Sequence, residues 1–219
     1  MIGSGVIAML WNATLETLRM VTASTVLATL LGLPLGILLT TTAPRHVLEQ
    51  PVLHRLCSGV VNTLRSVPFI ILMVAIIPLT RLVVGTSIGT VAAIVPLTMA
   101  ATPFFARLVD GALKEVDAGV IEAAESVGAS PLQIVYKVLI PEALPALVLA
   151  VTLTAVNLVG YSAMAGSIGG GGLGDLAIRY GYQRFRGDIM LATVVILVIL
   201  VQGTQMMGDT IARRLYHRK

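Results

Sequence analysis

Four long stretches of this chain carry no charged residue: Met20–Pro44, Leu82–Ala106, Ala143–Gly174 and Ile189–Gly208. A bilayer core about 30 Å thick takes roughly 20 apolar helical residues to cross, and each stretch reaches that length. Ser66–Thr80 is also uncharged but too short alone. It becomes a span if its helix begins near Pro51–Leu56, with Arg65 on the inner half. The pattern therefore predicts five spans, at about 14–41, 54–80, 87–113, 142–165 and 188–212. Only 12% of residues are charged, against about 25% in soluble domains. The reading is an all-α integral membrane protein forming a single domain over 1–219, with no room for a separate soluble domain.

An odd number of spans puts the termini on opposite sides. With the C-terminus inside, ten Lys and Arg fall on the inner side, among them Arg45, Arg213, Arg214, Arg218 and Lys219, and five on the outer side. The positive-inside rule favours this orientation, although Arg179, Arg184 and Arg186 in one outer loop oppose it. The net charge of +4 fits that loop bias better than a nucleic-acid surface. Cys57 is the single cysteine, so no internal disulfide forms. The first charges are Glu16 and Arg19, so the basic start of a secretory signal is missing.

The longest polar interruption, Asp117–Pro141, itself reads as helical. Asp117 is placed to cap a helix whose apolar face is Val116, Val120, Ile121, Ala124 and Val127. Gly128 supplies a left-handed stop. Ser130, Pro131 and Gln133 open a second helix with a capping box. That helix carries Leu132, Val135, Tyr136 and Leu139 and is expected to end at Pro141. Two short helices thus meet at a corner on the inner side. An acidic rim of Asp110, Glu115, Asp117, Glu122 and Glu125 repels anionic headgroups, so a protein partner fits better than lipid.

Glu122-Ala123-Ala124, then Gly128, then nine residues and Val138-x-Ile140-Pro141 resembles the E-A-A-x3-G-x9-I-x-L-P signature of ABC importer permeases. Val for Ile and Ile for Leu are the departures. Leu64-Arg65-Ser66-Val67-Pro68-Phe69-Ile70 is similar to the opening of the second span in amino-acid importers. Val84–Gly89, Ala93–Thr98 and Leu158–Met164 look like the methionine-importer permeases in particular. The resemblance covers essentially the whole chain. It implies a multi-pass protein of the bacterial inner (cytoplasmic) membrane, with the N-terminus outside and the C-terminus cytoplasmic. It also implies a permease homodimer, two cytoplasmic ATPase subunits and a periplasmic or lipid-anchored substrate-binding protein. ATP and magnesium belong to the partner ATPase, and no cofactor is expected on this chain. The two short helices become coupling helices between spans three and four, with Glu122, Ala123, Ala124, Gly128 and Pro141 as the contact to the ATPase. Another amino-acid or osmoprotectant importer remains an alternative, as does a secondary carrier or channel.

Other motifs read as structure. Gly85-Thr86-Ser87-Ile88-Gly89 matches G-x-S-x-G but lacks the strand that a nucleophile elbow requires; Thr86 or Ser87 is expected to cap the third span. Gly169-x-Gly171-x-x-Gly174 matches a dinucleotide fingerprint but follows a span rather than a strand, so it reads as a hinge near an outer gate. No Walker A pattern and no Cys/His cluster with metal spacing occurs. Ionisable residues are nearly absent from the spans, which disfavours an ion-coupled carrier. Glu16 is the exception, and Arg19 at i+3 is expected to pair with it. Proline and glycine punctuate the spans, and Gly32-x-x-x-Gly36 allows close helix approach. In the fourth span Asn157, Tyr161, Ser162 and Met164 are candidates for the pathway or gate. The bland alternative for Asn157 is a hydrogen bond to another helix. The chain is not expected to be an enzyme.

Overall fold

The computed structural model describes residues 4–44 and 46–216. Arg45, Arg218 and Lys219, used above to orient the chain, lie outside the described residues. Among the described residues there is no strand. Four helices are long and apolar enough to cross a membrane: α1 (Ser4–Thr41), α5 (Thr90–Lys114), a continuous run from α7 (Pro131–Ile134) into α8 (Ile140–Ala165), and α10 (Gly187–Tyr216).

The helix α1 is packed parallel to α5 along a row of small residues, Ser24, Ala28, Gly32, Gly36 and Thr40, spaced one every four positions. The Ser24 hydroxyl reaches the Ile94 carbonyl at 3.5 Å, and the Thr40 hydroxyl donates to Asp110 at 3.0 Å. Both partners lie 70 positions ahead, so the register holds along the seam. A Cβ on Gly32 would fall 2.9 Å from the Thr102 carbonyl, and one on Gly36 2.5 Å from Val109. Lipid supplies no hydrophobic drive between helices, so the van der Waals packing that close backbone approach allows holds them together instead. The same device joins α8 to α10, where a Cβ on Gly208 would overlap Thr152.

The expected second span is not one helix. The helix α2 (Pro51–Ser66) stops at extended Val67 (φ −81°, ψ 125°), and α3 (Phe69–Ala75) leaves at 102° to it. The cause is local: Pro68 disfavours helical geometry in the residue before it. A further break at Ile76 precedes α4 (Ile77–Val84). Val52, Leu56 and Val60 form an exposed apolar row on α2, while Val61 faces inward, the pattern of a helix lying at an interface. Beyond the bend, Phe69 stacks on Tyr161 of α8 with ring centres 4.6 Å apart and planes 5° from parallel.

After Ala165 the chain passes through a π-helical turn (Gly166–Gly170) and reverses at Gly169–Gly172, three of whose glycines have φ between 76° and 92°. The short helix α9 (Gly172–Leu176) then returns against α8, with Gly174 directly over Ala163. Glu16 does not pair with Arg19 as expected. Its carboxylate accepts from the Gly172 N–H at 2.7 Å, and the Thr17 hydroxyl accepts from Leu173 N–H at 2.9 Å. The two α9 donors lack partners in their own helix, and a carboxylate offsets them better than an exposed arginine compensates the carboxylate.

Between α4 and α5, Gly85 and Gly89 both take positive φ, and Gly89 itself occupies the N-cap position of α5 with no side-chain cap. The expectation that Thr86 or Ser87 caps that helix therefore fails. Thr86 instead accepts from the Ile88 N–H two residues on, and Ser87 accepts from Arg81.

Candidate functional site

The segment from Glu115 to Pro141 folds as two helical pieces around one corner. The Asp117 carboxylate accepts from the Gly119 N–H at 2.6 Å and starts α6 (Ala118–Ser126). Gly128 follows with φ +80°. The Gly128 N–H donates to the Glu125 carbonyl and the Ala129 N–H to the Ala124 carbonyl, at 2.9 and 3.1 Å, the paired bonds of a Schellman stop. Ser130 and Gln133 form a reciprocal capping box at the start of α7.

The second piece does not end at Pro141. Helical geometry continues through a π-helical turn (Val135–Leu139) into α8. Pro141 lies in the first turn of α8; the wider turn before it shifts the hydrogen-bond register, so the missing proline N–H breaks nothing. The fourth span is thus mechanically continuous with the loop.

The apolar faces also divide differently from the expected ones. Val116, Ile121 and Ala124 pack with Leu113, Ile134, Val135 and Leu139 into the core. Val120, Val127, Leu132 and Tyr136 are exposed, Val127 at 82%. These exposed apolar side chains lie on either side of the Gly128 corner in sequence, together with exposed Glu122, Ala123 and Glu125; Ala124 is half-buried and Pro141 exposed. Exposed apolar area rimmed by charge is the composition of a docking patch.

Asp110 does not belong to the acidic rim. It is 2% exposed. Its carboxylate accepts from Thr40 at 3.0 Å, from Arg107 at 2.9 Å and from Lys114 at 2.9 Å. The other nitrogen of the Arg107 guanidinium reaches Asn62 at 2.8 Å and Ser58 at 3.4 Å on α2. The 107/110/114 spacing, which puts three charges on one helix face, was legible in the sequence; the partners on α1 and α2 were not.

On α8, Asn157, Tyr161 and Met164 recur at one-turn intervals. Asn157 is half-buried and its side chain makes no hydrogen bond among the described residues, and Met164 is 48% exposed. Ser162 is turned inward, its hydroxyl donating to the Val159 carbonyl at 2.7 Å. A cavity of about 230 Å³ lies between Met73, Thr80, Ser87, Ala93, Ala165 and Gly170, and none of the four expected pathway residues lines it.

Four helices long and apolar enough to cross a membrane, with a structured polar corner between two of them, mark a polytopic membrane protein. Residues 32–217 match the family described as "Binding-protein-dependent transport system inner membrane component", and the chain belongs to it. It is 57% identical over 210 residues to the "Probable D-methionine transport system permease protein MetI" of Vibrio cholerae, covering 96% of this chain and 93% of that protein. It is 55% identical over 151 residues to the D-methionine transport system permease protein MetI of Escherichia coli K12, covering 69% and 70%. Among solved structures, the MetNI methionine ABC transporter in an inward-facing conformation superposes with a TM-score of 0.96 at 49% identity, over 97% of this chain and 99% of that one. An amino acid ABC transporter solved with histidines shares the fold alone, with a TM-score of 0.78 at 18% identity.

Proposed function

We propose that this chain is the membrane permease subunit of an ATP-driven ABC importer for methionine. The observation that carries the reading is the whole-length match to a methionine ABC transporter, with a TM-score of 0.96 over 97% of the chain. The chain forms the translocation pathway and carries out no covalent chemistry; hydrolysis of ATP, with its magnesium, belongs to a separate ATPase. Two copies pair around the pathway, two ATPase subunits dock inside and a substrate-binding protein docks outside. The protein resides in the inner membrane as a multi-pass chain.

Five crossings follow if the bent α2–α3 pair and α4 together count as one, which leaves the N-terminus outside and the C-terminus in the cytoplasm. In this reading α6 and α7 are coupling helices. Glu122, Ala123, Ala124 and Gly128 enter a cleft on the ATPase, where small side chains permit close approach and Gly128 sets the corner. Pro141 stands where the loop hands over to the fourth span. Asn157, Tyr161 and Met164 face the pathway or its gate, and the Gly169–Gly172 reversal is the hinge beside it.

The test is co-purification with an ATPase in mild detergent, followed by uptake in proteoliposomes that contain ATP, with methionine, other amino acids and betaine as competing cargoes. ATP-dependent methionine uptake is expected. Uptake driven by an ion gradient without ATP sinks the reading, and preference for another cargo replaces the substrate while leaving the mechanism.

A further inference from the structure

The inner ends of α1 and α5 meet at a single buried carboxylate, Asp110, whose side chain is 3% exposed, and Arg107 beside it reaches the middle of α2. Removing a carboxylate from water costs several kcal/mol, and apolar residues of similar size commonly stabilise a fold as well or better. Stability alone therefore does not explain the charge. What a charge cluster supplies is a fixed geometry with discrete partners, and here it joins three elements: Thr40 on α1 and Arg107 and Lys114 on α5 bind Asp110 directly, and α2 is reached through Arg107. Thr40 is in the last turn of α1. Lys114 is the last residue of α5, and only Glu115, Val116 and Asp117 separate it from α6. Arg107 binds Asp110 with one terminal nitrogen and α2 with the other. A planar guanidinium holds both directions at once, which a lysine does not do.

The α2 connection matters because α2 is otherwise lightly held. Its one fully buried residue is Val61, and His54 contacts the Leu39 carbonyl at 3.0 Å. Past α2 the chain turns by 102° into α3, whose first residue, Phe69, stacks on Tyr161. A continuous physical connection thus runs from the start of the 117–141 loop through Lys114, Asp110 and Arg107 to Asn62, then around the bend to Tyr161 in the C-terminal part of α8.

We infer that Asp110 is a positioning residue for transport: with Thr40, Arg107, Lys114 and Asn62 it joins the inner ends of α1 and α5 to the middle of α2 as one body, so that displacement of the loop is delivered to α2 and the bend beyond it. The inference rests on the coupling role proposed above for the loop.

Asn62 provides the decisive variant, because it is exposed and its replacement leaves the buried Asp110 cluster intact. In the full complex with its ATPase, reconstituted in proteoliposomes, methionine uptake and ATP hydrolysis are measured together. Asn62→Ala is expected to lower uptake per ATP roughly two- to thirty-fold, the span of coupling energies that linking residues carry, with an unchanged melting temperature. Asn62→Asp, which keeps an acceptor for Arg107, is expected to retain the wild-type ratio, and Asp110→Asn to lower it further. A wild-type ratio in Asn62→Ala overturns the inference. Gly128→Asp, run in parallel, separates the two ideas. If it is uncoupled while Asn62→Ala is normal, the joint is wrong and the loop reading stands. If it too is normal, the loop reading itself has failed. If only Asn62→Ala is uncoupled, the joint is severed from the loop and the proposed route is overturned.

Discussion

Gly36 and Gly128 are both required to be glycine, for different physical reasons. At Gly128 the backbone has φ +80°, yet a Cβ would meet nothing within 4 Å. Gly128→Ala is therefore expected to cost about 1–2 kcal/mol of local backbone strain, and Gly128→Asn less, because asparagine tolerates that region. At Gly36 the backbone is ordinary helix, but Val109 lies 2.5 Å from the added carbon. Gly36→Ala is expected to cost about 1–3 kcal/mol by overpacking, and Gly36→Val more. Thermal unfolding in detergent separates the two: Gly36 variants lower the global midpoint, whereas Gly128→Ala leaves it nearly unchanged. His46, in the turn between α1 and α2, behaves differently. Burial first, and the Lys114 charge second, hold its pKa below the ordinary value of 6.5. A histidine depressed in the fold binds fewer protons folded than unfolded. Its contribution is thus present above about pH 6.5 and lost as pH falls toward the folded value. Stability of the complex is expected to decline on acidification below about pH 6.5, and His46→Asn to flatten that part of the profile.

Among the elements, the contact between α1 and the α9 hairpin is the one most open to a direct test. Glu16 and Thr17 accept the first free N–H donors of α9, so they fix where the glycine reversal ends. Glu16→Ala leaves the Gly172 donor unpaired, a loss of about 1.5–3 kcal/mol for a charge-assisted bond. Faster amide hydrogen exchange across residues 166–176 is expected in Glu16→Ala, with Glu16→Gln in between. Equal exchange in all three proteins rules out a holding role for the Glu16 contact with Gly172. The contact also shows what a sequence discloses. Hydropathy located α1, α5 and α10 to within a few residues except at the start of α1, and cap chemistry located both helices of the polar loop. These signals are local. Glu16 and Gly172 are 156 positions apart, and Thr40 and Asp110 are 70 apart, so no local pattern pairs them. The bend at Pro68 is an intermediate case. The proline stood in plain view, but an uncharged run on either side of a sharp bend has the same hydropathy as a straight span.

At the level of the whole molecule, every functional assignment depends on which side of the membrane the polar loop occupies. The chain carries one cysteine, Cys57 on α2, and it is half-buried. The Asp110 cluster ties α2 to the C-terminal end of α5, the end that leads into the loop, so Cys57 and the 117–141 loop share a side. Ser167 stands at the opposite end of α8, exposed, with its hydroxyl donating to the Met164 carbonyl at 2.7 Å. The regular helix α8 (Ile140–Ala165) spans 26 residues, about 39 Å at 1.5 Å per residue, so its two ends lie on opposite faces of a bilayer core about 30 Å thick. A membrane-impermeant maleimide is therefore expected to label Cys57 in inside-out vesicles and not in spheroplasts. A variant with Cys57→Ser and Ser167→Cys is expected to show the reverse. If Cys57 is labelled from outside, the loop faces away from the ATP pool. Its exposed Val127, Leu132 and Tyr136 then cannot meet an ATPase, and the coupling role and the Asp110 joint fall together.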